Sequence, residues 1–69
     1  MHELSLAENA IELIEMTARR EGFTRVHRIC IEIGVLSCVE PEALRFALEA
    51  AGTGTCAAGA EIDFERVPV

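Results

Sequence analysis

Apolar and polar positions along this chain form four segments, two with helical spacing and two with strand spacing. Residues 4–20 and 41–51 repeat apolar side chains every three or four positions, which predicts two amphipathic helices. Residues 25–35 and 61–67 alternate with a period of two, which predicts two strands. The predicted inward residues are Leu4, Ala7, Ile11, Ile14 and Ala18, widened by Leu6, Ala10 and Leu13, on the first helix; His27, Ile29, Ile31, Ile33 and Val35 on the first strand; Leu44, Ala47, Leu48 and Ala51 on the second helix; and Ile62 and Phe64 on the second strand.

The helix ends are marked by residues with specific local roles. Gly22 and Gly52 are typical of positions that follow or end a helix. Two signals for the start of the second helix disagree. Ser37 opens a capping box that closes at Glu40, whereas Pro41 favours the first helical position. The pattern leaves both alternatives open.

The order helix, strand, helix, strand predicts an α+β fold in which two helices pack on one face of a small sheet. A two-stranded sheet is marginal alone, so a third strand, missing from this chain, is expected from outside it. That strand would come from another part of a longer protein or from a second molecule. The 69 residues are expected to form one domain, residues 1–69.

Charge and composition narrow the possible partners. The formal net charge is −6, which disfavours binding to nucleic acid and to anionic membranes. The first residues lack the basic start and apolar run of a signal peptide, and no stretch is long enough to span a membrane. An odd number of cysteines, Cys30, Cys38 and Cys56, fits reduced thiols. We therefore expect a cytoplasmic protein.

Residues with catalytic or cofactor-binding chemistry are sparse. The glycines of residues 52–60 follow a helix and precede a strand, the reverse of a phosphate-binding loop. The cysteines form no Cys-x-x-Cys pair, and two histidines give no catalytic constellation. His27 is interpreted as an imidazole at the edge of the core. The chain is therefore not expected to be an enzyme.

The amino terminus offers one coordination option. The Met1 amine, the deprotonated His2 amide and the His2 imidazole can chelate one metal ion, and the Glu3 amide can add a fourth nitrogen. Planar nitrogen sets favour Cu(II) or Ni(II). The first helical turn has amides without helical acceptors, so these nitrogens are available. Met1 is expected to be retained because His2 is too large for efficient methionine removal.

Three stretches of the sequence strengthen the indication of a metal site at the amino terminus. Residues 1–7 (MHELSLA), 31–46 (IEIGVLSCVEPEALRF) and 59–68 (GAEIDFERVP) resemble, in register, the HypA/HybF family of hydrogenase nickel-incorporation proteins. The resemblance implies a nickel site at Met1, His2 and Glu3. It also implies a possible carboxylate ligand, or an acceptor that supports the ligands, at Glu40.

The family resemblance further implies a nickel metallochaperone that serves [NiFe] hydrogenase, and in some organisms urease. The implied partners are a HypB-type GTPase and the hydrogenase large subunit. The family also carries a zinc module with two Cys-x-x-Cys pairs after the Val-Pro. This chain ends at Val69, so we expect no zinc site within it and self-association by strand pairing or swapping. The alternative is a metal-free interaction module that pairs through an exposed sheet edge.

Overall fold

The computed structural model describes residues 2–34 and 38–68. Helix α1 spans His2–Glu21, strand β1 Arg28–Gly34, helix α2 Pro41–Gly52 and strand β2 Glu61–Val67. The predicted α+β class and element order are confirmed. The expected third strand concerns residues outside this chain and stays a prediction.

Local chemistry explains where the helices begin and end. Glu40 is the N-cap of α2, its side chain accepts a hydrogen bond from the Glu42 N–H, and Pro41 takes the first helical position. The Pro41 alternative is therefore confirmed, and Ser37 lies outside the described residues. At the other helix, Gly22 adopts a φ of 82°, and its N–H donates to the Ala18 carbonyl at 2.8 Å. A left-handed glycine that closes the last turn is the predicted helix stop.

The two strands are parallel and in register from Arg28 opposite Glu61 to Gly34 opposite Val67. β1 begins at Arg28 and not at residue 25 as predicted, because its pairing partner begins only at Glu61. Before that point the Val26 N–H donates to the Cys56 carbonyl in the connecting loop, at 2.8 Å.

One face of the sheet and both helices form the core. Buried residues from all four elements make one cluster with the loop residue Ala57, and the cluster consists of Ala7, Ile11, Ile29, Leu44, Ala47, Leu48, Ala57 and Ile62. Ile29 and Ile62 are register partners, so both helices pack on the face that these two residues share. The predicted arrangement of both helices on one face is confirmed.

Four predicted inward positions need correction. Leu13 is 64% exposed because it lies past the margin of the face of α1 that carries the buried residues Ala7, Ile11 and Ala18. Leu6, which also widens the stripe, is exposed at 37%, and Leu4, which is aligned with the buried Ala7 and Ile11, is exposed at 38% in the first turn of the helix. His27 is exposed because it precedes the strand and is not covered by the helices. Val35, also predicted inward, lies outside the described residues.

Candidate functional site

The first residues of α1 present their side chains in different environments. His2 begins the helix and is exposed, whereas Glu3 is half-buried in the first turn. Met1, the third predicted residue of the amino-terminal site, lies outside the described residues. The exposed imidazole of His2 is accessible to a metal ion from solvent.

The structure brings Glu3 and Glu40 together although they are far apart in sequence. The Glu3 carboxylate oxygen Oε2 accepts a hydrogen bond from the Glu40 main-chain N–H at 3.3 Å. The Glu40 carboxylate oxygen Oε1 accepts in turn from the Glu42 N–H, also at 3.3 Å. We call this group of Glu3, Glu40 and Glu42 the helix junction, because it joins the N-termini of α1 and α2. Two of the four predicted site residues therefore lie in direct contact.

The electrostatics of the helix junction follow from the two helix N-termini. Each N-terminus carries partial positive charge from unpaired N–H groups, which favours nearby carboxylates. The pKa of the Glu3 carboxyl is lowered from its ordinary value, chiefly by hydrogen bonds from its own N–H and from the Glu40 N–H, with a smaller contribution from the charge of His2. Glu3 is consequently a carboxylate at neutral pH, and its negative charge offsets the repulsion that a helix N-terminus exerts on a cation.

Side chains alone do not assemble a metal site in the described part of the chain. Across residues 2–34 and 38–68, no three His, Cys, Asp or Glu side chains are placed to hold a metal ion. The predicted chelate differs in kind, because three of its four donors are the terminal amine and two main-chain nitrogens. The thiols Cys30, Cys38 and Cys56 are free, the first two exposed and the third half-buried.

The contact between Glu3 and Glu40 was not foreseen from the sequence. The two residues are 37 positions apart, and the sequence indicated a separate role for each, Glu3 in the terminal chelate and Glu40 in a helix cap and a family motif. The sequence does indicate one partner of this contact, the main-chain N–H of Glu40. The residue before a helix-starting proline is an N-cap, and an N-cap N–H needs an acceptor from elsewhere. Nothing in the pattern identifies Glu3 as that acceptor.

Among the described helices, none combines the length and the apolar composition that crossing a membrane requires. Fold and contacts thus define a small α+β domain whose two helices meet at an acidic junction beside the amino terminus.

Comparison with known proteins extends this description. The family model for "Hydrogenase/urease nickel incorporation, metallochaperone, hypA" matches residues 1–69. The hydrogenase maturation factor HypA of Acidithiobacillus ferrooxidans is 48% identical over 68 residues, which cover 99% of this chain and 60% of the relative. HypA of Cupriavidus necator is 55% identical over 66 residues, 96% of this chain and 56% of the relative. HybF of Salmonella typhimurium is 46% identical over 68 residues, 99% of this chain and 60% of the relative.

The chain belongs to the HypA family of nickel-incorporation metallochaperones. The resemblance read from residues 1–7, 31–46 and 59–68 is confirmed. The expectation that the chain is not an enzyme is confirmed as well, because the family is described as a metallochaperone. The chain spans about 60% of the length of the first curated relatives that it matches.

Proposed function

We propose that residues 1–69 form a nickel-binding domain that takes up Ni(II) at its amino terminus and delivers it for the maturation of [NiFe] hydrogenase. Delivery to urease is a second use consistent with the family description. The observation that carries the proposal is the helix junction, which anchors the side chain of Glu3 beside an exposed His2 at the start of α1.

The proposed donors are the Met1 amine, the His2 amide nitrogen, the His2 Nδ1 atom and the Glu3 amide nitrogen. The His2 amide nitrogen shares a five-membered chelate ring with the Met1 amine, a six-membered ring with the His2 Nδ1 atom and a five-membered ring with the Glu3 amide nitrogen, and nitrogen donor sets of this kind favour Ni(II) or Cu(II). The amides of a first helical turn have no acceptor within the helix, so the metal displaces few existing hydrogen bonds. Each amide must lose its proton, so affinity rises with pH.

Glu3 contributes to this site in two separable ways. Its main-chain nitrogen is a donor in the chelate, whereas its carboxylate is already engaged with the Glu40 N–H. The carboxylate therefore anchors the residue and adds negative charge near the ion, and it need not bind the metal itself. Supporting contacts of this type orient the ligands of metal sites. Glu40 takes part through its N–H, and its carboxylate, hydrogen-bonded to Glu42, is the proposed additional acceptor or ligand.

The partners proposed for the domain follow from its family. Nickel would pass to the hydrogenase large subunit with the help of a HypB-type GTPase, in the cytoplasm. This chain matches 60% of the length of its relatives, which leaves about 40% unmatched. The zinc module would belong to that unmatched part. We also propose that the chain associates with itself through a sheet edge.

The competing proposal is a metal-free interaction module. It rests on the exposed apolar side chains of α1, including Leu13 at 64% and Met16 at 52%. Exposed apolar groups of this kind are typical of binding surfaces. Such a module would be indifferent to changes at the amino terminus, which separates the two proposals.

A nickel titration of tag-free protein tests the proposal. We expect one equivalent of Ni(II) near neutral pH, and loss of stoichiometric binding in His2→Ala or after one glycine is added before Met1. His27→Ala is the matched control, since His27 is the other histidine and is also exposed. Uptake that survives His2→Ala, or that is lost equally in His27→Ala, would contradict the proposed site.

A further inference from the structure

Basic residues are concentrated in one short stretch of this acidic chain. Residues 19–28 (RREGFTRVHR) contain four of the six lysine and arginine residues and a single acidic residue, Glu21. The stretch has a formal net charge of +3, so the rest of the chain carries −9 to give the total of −6. A local reversal of charge attracts an acidic partner to that place, while the remaining surface repels it.

Two of the four arginines in this stretch are free to bind a partner. The Nε atom of Arg20 lies 3.1 Å from the carboxylate of the next residue, and the Nε atom of Arg28 lies 2.5 Å from the Asp63 carboxylate. Among residues 2–34 and 38–68, the side chains of Arg19 and Arg25 form no ion pair and no hydrogen bond, and both are exposed. A guanidinium group can bind a carboxylate through two parallel hydrogen bonds.

An open groove of about 420 Å³ lies beside the free arginines, between the end of α1 and the loop that precedes β2. Arg19 lines the groove, and Arg25 directly follows another lining residue, Thr24. Phe23 forms an aromatic wall that is 39% exposed, and Met16, 52% exposed, lies one helical turn before Arg19. We call this site the arginine groove. It combines apolar surface with free cations.

Hydrogen bonds hold the walls of the arginine groove in place. The Glu15 carboxylate, which also lines the groove, accepts from the Cys56 N–H at 3.1 Å. The Cys56 carbonyl accepts from the Val26 N–H at 2.8 Å, and the Phe23 N–H donates to the Ala18 carbonyl at 3.2 Å. These bonds join α1, the turn after it and the loop before β2. A preformed surface of this kind loses little conformational freedom when a partner binds.

The arginine groove lies at the opposite end of the domain from the amino terminus. An α-helix rises about 1.5 Å per residue, so Arg19 lies about 25 Å along α1 from His2. Both strands begin at the groove end, where Arg28 is opposite Glu61, and run away from it, so a continuation beyond β2 leaves from the other end. The described residues that line the groove all precede the strands, so the groove does not depend on a free sheet edge.

We propose that the arginine groove docks an acidic segment of the HypB-type GTPase, with an apolar side chain of that segment against Phe23 and its carboxylates on Arg19 and Arg25. This inference rests on the proposed function and adds to it the surface that the GTPase uses. The nickel acceptor must bring its own ligands to the metal, so it needs the amino-terminal end of the domain. A GTPase docked at the far end leaves that end open, and both proteins can then bind one domain at the same time.

Charge reversal tests the docking. In calorimetric titration we expect the GTPase to bind the parent chain with an affinity that falls as salt rises from about 50 to about 300 mM. Arg19→Glu and Arg25→Glu are each expected to weaken binding at least tenfold, about 1.4 kcal/mol. Arg66→Glu is the matched control, because Arg66 is also exposed but lies on β2 near the opposite end. A GTPase that does not bind the parent chain, or that loses as much affinity in the control, overturns the inference.

An aromatic replacement tests the apolar part of the arginine groove. Phe23→Ser is expected to weaken GTPase binding at least tenfold, about 1.4 kcal/mol. Phe46→Ser is its matched control, since Phe46 is 74% exposed but lies on α2, outside the groove. Circular dichroism verifies that each variant folds. Full binding by a folded Phe23→Ser variant would contradict the apolar contact.

Thiol labelling locates the bound GTPase. Cys56 lines the arginine groove and is half-buried, whereas Cys38 is exposed just before α2. In a Cys30→Ser, Cys38→Ser background, the GTPase is expected to slow the reaction of Cys56 with N-ethylmaleimide, measured by the mass of the chain. In a Cys30→Ser, Cys56→Ser background, Cys38 is expected to react at the same rate with and without the GTPase. Protection of both thiols alike, or no protection of Cys56, refutes the location.

Nickel titration separates this inference from the proposed nickel site. Arg19→Glu and Arg25→Glu are expected to take up one equivalent of Ni(II) as the parent chain does, because both residues are far from the terminus. Loss of GTPase binding with nickel uptake intact supports the docking surface. Loss of nickel uptake in the same variants would show that they disturb the whole domain and would overturn the assignment of a separate docking surface.

Discussion

Replacement of Glu3 separates its main-chain donor from its side-chain anchor. Glu3→Ala keeps the amide nitrogen that is proposed to bind nickel and removes the carboxylate that accepts from the Glu40 N–H at 3.3 Å. Loss of a contact that orients a ligand typically lowers metal affinity about 10–100-fold. Glu3→Gln keeps an oxygen acceptor for the Glu40 N–H but no charge, so its loss is expected at about tenfold or below. His2→Ala removes a donor atom and is expected to abolish stoichiometric binding.

Competition against a chromophoric nickel chelator measures this series, with the visible absorption of the bound Ni(II) as a second readout. The expected order of affinity is the parent chain, then Glu3→Gln, then Glu3→Ala, then His2→Ala, with the Ni(II) absorption spectrum of the parent chain kept in both Glu3 variants. If Glu3→Ala loses nickel as completely as His2→Ala and the spectrum changes, the carboxylate is itself a ligand. If Glu3→Ala binds nickel like the parent chain, the anchor has no role in the site.

Three further predictions concern stability. Leu48→Ala, at a side chain only 1% exposed, is expected to lower the free energy of unfolding by about 2–5 kcal/mol in urea titrations, while Phe46→Ala, at 74% exposure, changes it by about 0.5 kcal/mol or less. Arg45→Met, which removes a main-chain hydrogen bond and the contact with the Phe64 ring, is expected to cost about 1–2 kcal/mol in the same assay. The folded state lowers the pKa of the Glu3 carboxyl, so the ionised carboxylate stabilises the fold above its ordinary pKa of 4.5, and this stabilisation is lost as the pH falls below that value. The free energy of unfolding of Glu3→Gln should therefore depend less on pH in the acid range than that of the parent chain. The first prediction is contradicted if Leu48→Ala and Phe46→Ala lower the free energy of unfolding equally, and the second if Arg45→Met leaves it unchanged. The third is contradicted if the stability of Glu3→Gln and of the parent chain falls in parallel with pH.

The four elements were predictable because each has its own periodicity. Helical spacing over residues 41–51 and alternation over 61–67 match α2 and β2 to within a residue. The start of β1 was missed because a strand begins where its partner begins, and the partner is distant in sequence. Leu13 was placed inside because the apolar stripe of α1 is wider than the surface that α2 and the sheet cover.

The candidate site was less accessible to sequence reasoning than the fold. The chelate at the terminus follows from residue types alone, since its donors are adjacent in sequence. The helix junction does not, because the contact between Glu3 and Glu40 depends on how two helices meet. The same is true of Arg45, whose hydrogen bond to the main chain of β2 depends on the angle at which α2 crosses the sheet. Contacts of this kind depend on tertiary packing, which local patterns do not encode.

A site at the start of a helix suits a protein that must release its metal. An ion held only by the four proposed nitrogens would keep open coordination positions, so a ligand from an acceptor protein can approach before the carrier's ligands leave. On the proposed chelate, His2 is exposed and can dissociate first, while Glu3 stays anchored to the start of α2 through the Glu40 N–H. The main-chain nitrogens can regain their protons as they leave the metal, so release is favoured by acid and by any partner that supplies protons. Transfer then requires neither unfolding of the domain nor loss of the core beneath α1, because the four proposed nitrogen donors all precede Ala7, the first buried residue of the described part of α1.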